Sequence, residues 1–360
     1  MNADEVSQLP GMAEFAVRAT ARWRAIDSLL PGAVPEGGAV PADKADKDAH
    51  CGASLAVGAG GNLDAFGTCR HTEPDPAEIG LSWGMARRFE LAPRVVGPGP
   101  AAALDRLIGL WRDHLTDVPG SDEDDTAAVI TWPSRDIEGV AALQRHGLRP
   151  LAVAAIRTAG RAGTATRPST AGRASTVSRG TRGPGRKAGD VRVRRAEPRD
   201  VDAVARFGTE VARFDAHFSG TPERPGTAAA LRREAARLLG RPDATPAGTA
   251  QPWTWLAERD GRPVGMIATQ WPAHAAWIAP LTRLSPVAYT VLGYVTPDER
   301  SSGIGAALAA HLHDTVDPAG VAATLLHYEQ LNPYAAPFWS RQGYRPLWTT
   351  WEARPARSLR

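Results

Sequence analysis

The chain has 360 residues, which is too long for one ordinary hydrophobic core and favours two domains. Hydrophobic residues make up 43% and charged residues 22%, as in globular proteins. No uncharged apolar run approaches the roughly 18 residues of a membrane span. Residues 1–11 lack the basic and apolar regions of a secretory signal. Two cysteines, Cys51 and Cys69, cannot form a disulfide framework. We therefore expect a cytoplasmic protein with no membrane partner.

The positive charge is concentrated in one segment. A sequence pI of about 9.1 and a net charge of +3 would suit a nucleic-acid-binding protein. Residues 158–190, however, hold seven basic residues and one acid, so they carry +6 and the rest of the chain carries −3. These arginines have no interleaved aromatic side chains that would stack on bases. Nucleic acid is therefore not the expected partner.

In chain order, the first predicted element is a hairpin. Leu55–Val57 and Ala65–Cys69 flank Gly60-Gly61-Asn62, which has the composition of a tight turn between two strands. Farther along, Val129-Ile130 indicates a buried strand. These elements belong to a first domain at residues 1–157.

A predicted linker follows at residues 158–190. It consists mainly of Gly, Ala, Ser, Thr, Pro and Arg, with Val177 as its only large aliphatic residue, so it cannot bury enough apolar surface to fold. We predict a disordered basic linker that joins the first domain to a second at residues 191–360. On composition alone, we expect that residues 160–188 can be deleted without unfolding either domain.

The second domain alternates strands with helices. Asp200 is the predicted N-cap of its first helix, and Asp260-Gly261 is a predicted hairpin turn. The other helices are predicted at residues 303–315 and 333–341. Strands are predicted at Val191–Arg195, Trp253–Glu258, Val264–Thr269, Val287–Val295, Val321–Tyr328 and Tyr344–Ala353. The order β-α-β-β-β-α-β-α-β indicates an α/β fold whose ligand site lies where a strand leads into a helix.

Two segments of the chain repeat each other. Gln342-Gly343-Tyr344-Arg345-Pro346-Leu347 matches His146-Gly147-Leu148-Arg149-Pro150-Leu151 at a fixed offset. Residues 303–308 likewise resemble residues 99–104, and the two matches occur in the same order. We therefore predict that the first domain is a second copy of the α/β fold of residues 191–360.

The strongest candidate site begins at Arg300. The sequence Arg300-x-x-Gly303-x-Gly305 follows an apolar strand and opens a helix, whose first turn offers unpaired N–H groups to an anion. The glycines allow a ligand to approach the backbone closely, and Arg300 adds a permanent positive charge. A pyrophosphate is the ligand that this combination suits.

The second domain resembles the GNAT superfamily of acyl-CoA N-acyltransferases. The resemblance rests on the apolar strand with Val295-x-Pro297-x-x-Arg300-x-x-Gly303-x-Gly305, and on Asn332-x-x-Ala335-x-x-Phe338-Trp339-x-x-x-Gly343-Tyr344. It implies two tandem GNAT-like mixed β-sheet domains with flanking helices, and acetyl-CoA as cosubstrate. The cofactor-binding residues implied by the resemblance are Tyr294, Val295, Arg300, Ser301, Ser302, Gly303, Ile304, Gly305, Ala306, Asn332 and Trp339.

The first copy departs from the family pattern at three positions. Val96 aligns with Arg300, Pro100 replaces Ile304, and Asp136 falls on Asn332. These changes remove a positive charge, remove one N–H group and add a negative charge. All three weaken binding of an anionic cosubstrate, so we interpret the first domain as a degenerate copy that is structural or shapes the substrate site.

The catalytic groups are less well determined. Many relatives have a tyrosine acid seven residues after the asparagine, where this chain has Trp339, so Tyr334 and Tyr294 are the nearest candidates for the acid, and Tyr334 is the one that we test. Tyr289 stands where an acidic base is common in the family, so His327 and Glu329 at the end of the next strand are the candidates for the base. His311 and His313 lie two apart on one predicted helix and face different sides, so no metal is expected.

Two functions are compatible with these residues. The first is an acetyl-CoA-dependent N-acetyltransferase, in which a small-molecule or peptide amine attacks directly in a ternary complex. The alternative is a non-catalytic CoA-binding regulatory or scaffold protein, motivated by Trp339 and Tyr289 in place of the usual acid and base. The sequence specifies neither the acceptor nor the oligomeric state.

Overall fold

A computed structural model describes residues 11–32, 50–59, 62–73, 79–160, 191–239 and 253–360. Nearly all of the predicted linker lies outside these residues, so its disorder stays a prediction. In the described ranges, no helix is both long and apolar enough to cross a membrane.

The described strands form one mixed sheet of 11 strands, in the order β1-β2-β3-β4-β11-β5-β10-β9-β8-β7-β6. Numbered along the chain, the strands are β1 (His50–Ala59), β2 (Asn62–Thr72), β3 (Arg87–Val95), β4 (Thr126–Pro133), β5 (Arg149–Thr158), β6 (Val191–Arg195), β7 (Trp253–Arg259), β8 (Arg262–Gln270), β9 (Val287–Val295), β10 (Ala323–Glu329) and β11 (Arg345–Ala353).

Helices cover both faces of this sheet, as the α/β prediction requires. They are α1 (Met12–Ile26), α2 (Pro100–Leu115), α3 (Ile137–Arg145), α4 (Val201–Ser219), α5 (Thr227–Leu239), α6 (Ile304–Val316) and α7 (Ala335–Arg341). Helix α6 shows why such segments dock. Ile304, Leu308 and Leu312 recur every four residues and are all buried, so one apolar stripe packs on the sheet.

The predicted repeat is present in the order of the elements. The first half has the element order β2-β3-α2-β4-α3-β5, and the second half repeats this order as β8-β9-α6-β10-α7-β11. The loops between strand and helix differ in length. Four residues, 96–99, join β3 to α2, whereas eight residues, 296–303, join β9 to α6. The first copy has therefore lost half of the loop that carries Arg300.

The two halves exchange their last strands. Strand β5 ends the first half but lies between β10 and β11, where Ala152 pairs with Glu329. Strand β11 ends the second half but lies between β4 and β5, where Trp351 pairs with Ile130. Each half therefore contributes a strand to the core of the other. The domain limits at residues 157 and 191 stay a prediction, and the halves are joined through one sheet.

Candidate active site

The site begins at a gap in the sheet. Strands β9 and β10 pair in parallel over a short stretch only, in which Val287–Thr290 of β9 lie opposite Ala323–Leu326 of β10. Beyond these pairs, β9 continues to Val295 bonded to β8, and β10 continues to Glu329 bonded to β5. The facing edges of β9 and β10 consequently no longer bond to each other. Their backbone N–H and C=O groups are available to an extended ligand that enters between the strands.

The loop after β9 is shaped to hold an anion. Ser301 and Gly303 have positive φ angles of 62° and 89°, and Gly303 is the N-cap of α6. Ala307 N donates to Gly303 O at 3.0 Å, which is the first hydrogen bond of the helix. The amides of residues 303–306 therefore have no partner within the helix and point toward the end of the gap. This geometry suits a phosphate group.

Arg300 adds its charge beside these amides. Its Nε donates to Val295 O at 3.3 Å, and its guanidinium lies 5.1 Å from the centre of the Phe214 ring. The side chain is exposed, so the remaining guanidinium N–H groups are open to a ligand. Gly305 faces Phe338, and a Cβ at this position would lie 3.1 Å from the phenylalanine ring. A glycine therefore allows the first turn of α6 to pack closely on Phe338.

The residues implied for the opposite wall are also at the gap. Asn332 Nδ2 donates to Asp215 Oδ1 at 3.4 Å, and its Oδ1 accepts from Tyr334 N at 3.1 Å. The Trp339 ring is buried, and a Cβ on Gly293 would lie 3.2 Å from it. Asn332 thus links α4 to the start of α7, and the Trp339 ring packs against β9 at Gly293.

Two tyrosines near the gap differ in burial and in whether their hydroxyl groups are hydrogen-bonded. Tyr294 is buried, stacks on Phe207 at 5.0 Å and donates its hydroxyl to Glu210. Tyr334 is 63% exposed, and its ring stacks on Phe214 at 6.2 Å. Only the Tyr334 hydroxyl of this pair lacks a hydrogen bond among the described residues.

Glu329 lies at the end of β10, beside the gap. It is 7% exposed, and its Oε2 atom has no hydrogen-bond partner among the described residues. Burial, followed by the negative charges of Asp215 and Glu352, raises the pKa of Glu329 to about 8, although Arg354 and Arg149 oppose the shift. A carboxyl group with this pKa exchanges a proton readily near neutral pH.

His327 is neutral and firmly held. Its Nδ1 lies 3.0 Å from the Tyr289 hydroxyl, and the Trp277 ring stacks on it at 6.4 Å. Burial, with a smaller effect of Arg88, lowers the pKa of His327 to about 4. His327 therefore stays uncharged at physiological pH and forms one wall of the site with two aromatic rings.

One cavity of about 1530 Å³ brings these groups together. Of the predicted site residues, only Ser302 and Ile304 do not line it. Ser302 Oγ donates to Glu299 O at 2.6 Å, and the Ile304 side chain is 1% exposed in the core. Their contribution to a ligand would be limited to backbone amides. The cavity also contains groups that the sequence pattern does not single out, among them Trp83, Arg88, Asp215 and Glu352.

No group of three or more metal-ligating side chains occurs in the described ranges. The two histidines considered for a metal lie in separate environments. The His311 ring packs edge-on against Trp255 at 5.4 Å, and His313 Nε2 lies 3.2 Å from the Tyr344 hydroxyl. These contacts give both rings structural roles.

The protein thus has a mixed α/β fold, in which the sheet splits next to a helix that begins after a glycine. Residues 251–346 match the family model described as an acetyltransferase (GNAT) domain. The matched region contains β9, the Arg300 loop, β10 and Asn332.

Several solved structures resemble this chain at low identity. A tandem GNAT protein from the clavulanic acid biosynthesis pathway is 15% identical, with coverage of 98% of this chain and 96% of that chain and a TM-score of 0.43. A GCN5-related N-acetyltransferase from Sphaerobacter thermophilus is 12% identical, with coverage of 82% and 78% and a TM-score of 0.45. A third, from Ralstonia eutropha JMP134, is 23% identical over 43% of this chain and 93% of that chain, with a TM-score of 0.31. No curated protein matches the chain.

Proposed function

We propose that the protein is an acetyl-CoA-dependent N-acetyltransferase with one active site, in its second half. The observation that carries this proposal is the gap between β9 and β10, which has an anion-binding helix start after β9 on one side and an unpaired carboxyl oxygen of Glu329 at the end of β10 on the other. Both sides open into the same cavity. We also propose a cytoplasmic location.

The residues at the gap fit acetyl-CoA, which supplies the acetyl thioester. The amides of residues 303–306 and the Arg300 guanidinium would hold its pyrophosphate. The free backbone edge of β9 near Val295 would hold its pantetheine arm. The same edge would offer an N–H group to the oxyanion that develops on the thioester carbonyl.

Glu329 is the proposed general base. An amine enters largely as an ammonium ion and must lose a proton before it attacks. The carboxyl group of Glu329 has a raised pKa, and an ammonium ion beside it would favour its ionised form. It would then take the proton directly or through one water. His327 is the second candidate, but its Nδ1 already faces the Tyr289 hydroxyl.

Tyr334 stays the proposed general acid for the leaving thiolate. It follows Asn332 at the start of α7, lines the cavity, and keeps a free hydroxyl among the described contacts. Trp339 lacks an acidic proton, and the hydroxyl of Tyr294 is already bonded to Glu210. Tyr334 is therefore the better placed of the two tyrosines.

The first half does not repeat this site. Its loop is four residues shorter, and Val96 is 3% exposed and packs with Phe15 of α1. Asp136, at the position of Asn332, forms an ion pair with Arg22 of the same helix. Side chains of α1 therefore occupy the region that a cosubstrate would need, which supports a single site for each chain.

The test is turnover of acetyl-CoA by the full-length protein with a panel of amines, followed as release of CoA thiol. Isothermal titration with acetyl-CoA should show one site for each chain. Acetyl-CoA binding without turnover of any amine would favour the non-catalytic alternative. Two sites of comparable affinity would contradict the proposed loss of function in the first half.

A further inference from the structure

The cavity extends well beyond the GNAT gap and reaches the first half of the chain. Its floor is one face of the sheet, where paired residues on adjacent strands form rows of neighbouring side chains. Arg70 of β2 pairs with Glu90 of β3, Glu90 with Val129 of β4, and Val129 with Glu352 of β11. All four line the cavity. The strand exchange thus makes first-half residues part of the same floor as Glu329.

Arg88 is the first-half residue whose charge reaches the proposed active site. It lies in the next row of the floor, where it pairs with Thr72 and Ala127, and all three residues line the cavity. Burial lowers the pKa of His327 and raises that of Glu352, and the positive charge of Arg88 lowers both. Arg88 Nη2 lies 3.3 Å from Glu90 Oε1, so the guanidinium lies over the floor of the cavity.

A second first-half element forms the roof. The turn Ile79–Trp83 lies over α4 and α5, where Trp83 bonds to the carboxylate of Asp215. Arg224 fixes this turn, because it donates to Leu81 O at 3.1 Å and to Gly84 O at 3.0 Å. The end of the cavity away from the Arg300 loop is thus enclosed by first-half residues above and below.

The two ends of the enclosed space differ in charge. The charged first-half residues that line the cavity are Arg70, Arg88 and Glu90, whose Oε1 lies 3.3 Å from Arg88. They sum to one positive charge, and Glu352 in the same row is paired with Arg354, so this part of the cavity matches a monoanion such as a carboxylate better than a dianionic phosphate. At the other end, Glu329 presents a carboxyl group to the cavity, whereas the carboxylate of Asp215 is bonded to Trp83 and Asn332.

We propose that the acceptor is a primary amine that carries a carboxylate at its far end. Glu329 faces its amine, and Arg88 of the degenerate copy binds its carboxylate. This inference rests on the proposed function and adds the class of acceptor. Four strand spacings of about 4.8 Å separate β3 from β10, and the pairing places the row of Glu329 about four residues along the strands from Arg88, so the two backbone positions lie roughly 23 Å apart, too far for an α-amino acid. A peptide-like molecule of about three or four residues, roughly 10 to 14 Å long when extended, spans the space left between the two side chains.

The probe pair for the test is triglycine and its C-terminal amide, which have the same amine and differ by one negative charge. Binding is measured by calorimetry on the full-length protein saturated with CoA, and kcat/KM is measured with acetyl-CoA. We expect wild type to prefer the acid by about tenfold, the size of one charge-assisted contact. Arg88→Gln should remove this preference by weakening only the acid, with the KM for acetyl-CoA unchanged. Arg88→Lys should restore part of it.

Arg106→Gln is the matched control, because Arg106 is exposed on α2, pairs with Asp64 and does not line the cavity. Equal binding of acid and amide to wild type, or no binding of either, would overturn the inference. An increase in the KM for acetyl-CoA in Arg88→Gln would assign Arg88 to the cosubstrate instead. If neither peptide nor any other amine is acetylated while the acid still binds preferentially, the proposed function fails and the carboxylate site stands.

Discussion

Replacement of Glu329 by glutamine tests the proposed base with little change in shape. The variant keeps the size of the side chain and loses its ability to accept a proton. Removal of a general base typically lowers turnover by about 10²-fold or more, so we expect kcat/KM for the acceptor to fall by at least that factor at pH 8. The KM for acetyl-CoA should be nearly unchanged, because Glu329 lies at the end of β10, across the gap from the Arg300 loop.

The pH dependence gives an independent measure. Wild-type kcat/KM should rise with pH and level off near the Glu329 pKa of about 8. The same pKa predicts a change in stability. Between pH 4.5 and 8, Glu329 is protonated in the folded state and ionised in the unfolded state, so folding takes up a proton and stability falls as the pH rises.

The Glu329→Gln variant should not show this fall in stability between pH 4.5 and 8. Its free energy of unfolding should be close to that of wild type at pH 5 and higher at pH 9, by on the order of a few kcal/mol. Urea unfolding at the two pH values measures the difference, with Glu223→Gln as an exposed control paired with Arg213. A kcat/KM within a few-fold of wild type would refute the role as base. An equal change in stability at both pH values would refute the raised pKa.

The remaining predictions concern the cosubstrate loop and the acid. Arg300→Ala should raise the KM for acetyl-CoA by roughly tenfold or more, with a smaller effect on the acceptor KM; an unchanged value would mean that this loop does not hold the pyrophosphate. Gly305→Ala should also weaken acetyl-CoA binding in calorimetry, because the added Cβ would lie 3.1 Å from the Phe338 ring, and wild-type affinity would show that α7 adjusts. Tyr334→Phe should lower kcat by about 10²-fold with little change in the KM for acetyl-CoA; a kcat within a few-fold of wild type would leave Tyr334 a structural residue.

Much of the second half could be predicted from sequence. The predicted strands at Val191–Arg195 and Val287–Val295 have the same limits in the structure, because each has a clear apolar pattern and a clear end, such as Thr296-Pro297 after β9. The Arg300 loop was also predictable, since its function depends on backbone geometry that glycines reveal. Strand β10 was predicted two residues too early, at Val321, where the chain is still turning out of α6.

The strand exchange was not predictable from local pattern. Strands β5 and β11 follow the same repeated motif, so either could pair with β4 or with β10, and only the packing of the whole sheet decides between them. Arg88 and Trp83 were missed for the same reason, because they join the site only through this exchange. The one available signal was that Arg88 and Glu90 flank Phe89 in β3, because residues two positions apart in a strand lie on the same face of the sheet.

The exchange also changes the expected consequence of deleting the linker. Strand β5 lies in the middle of the sheet, and β6, which follows it in the chain, lies at the edge. Five strand spacings of about 4.8 Å separate them. Val191 also pairs with Arg259, at the end of β7 that lies about nine residues, or roughly 30 Å along the strands, from the row of Thr158, so the connection must span roughly 40 Å.

A chain without residues 160–188 keeps only three residues between Thr158 and Val191, which reach about 14 Å when fully extended. It cannot place both strands in one molecule, which reverses the expectation from composition. We expect this variant to form a strand-swapped dimer or to remain unfolded, as measured by light scattering and thermal melting. Replacement of the segment by about 14 Gly and Ser residues should restore the wild-type monomer or oligomer and its melting temperature, because length rather than sequence is required. A deletion variant with wild-type mass and stability would show that β5 pairs within its own half in solution.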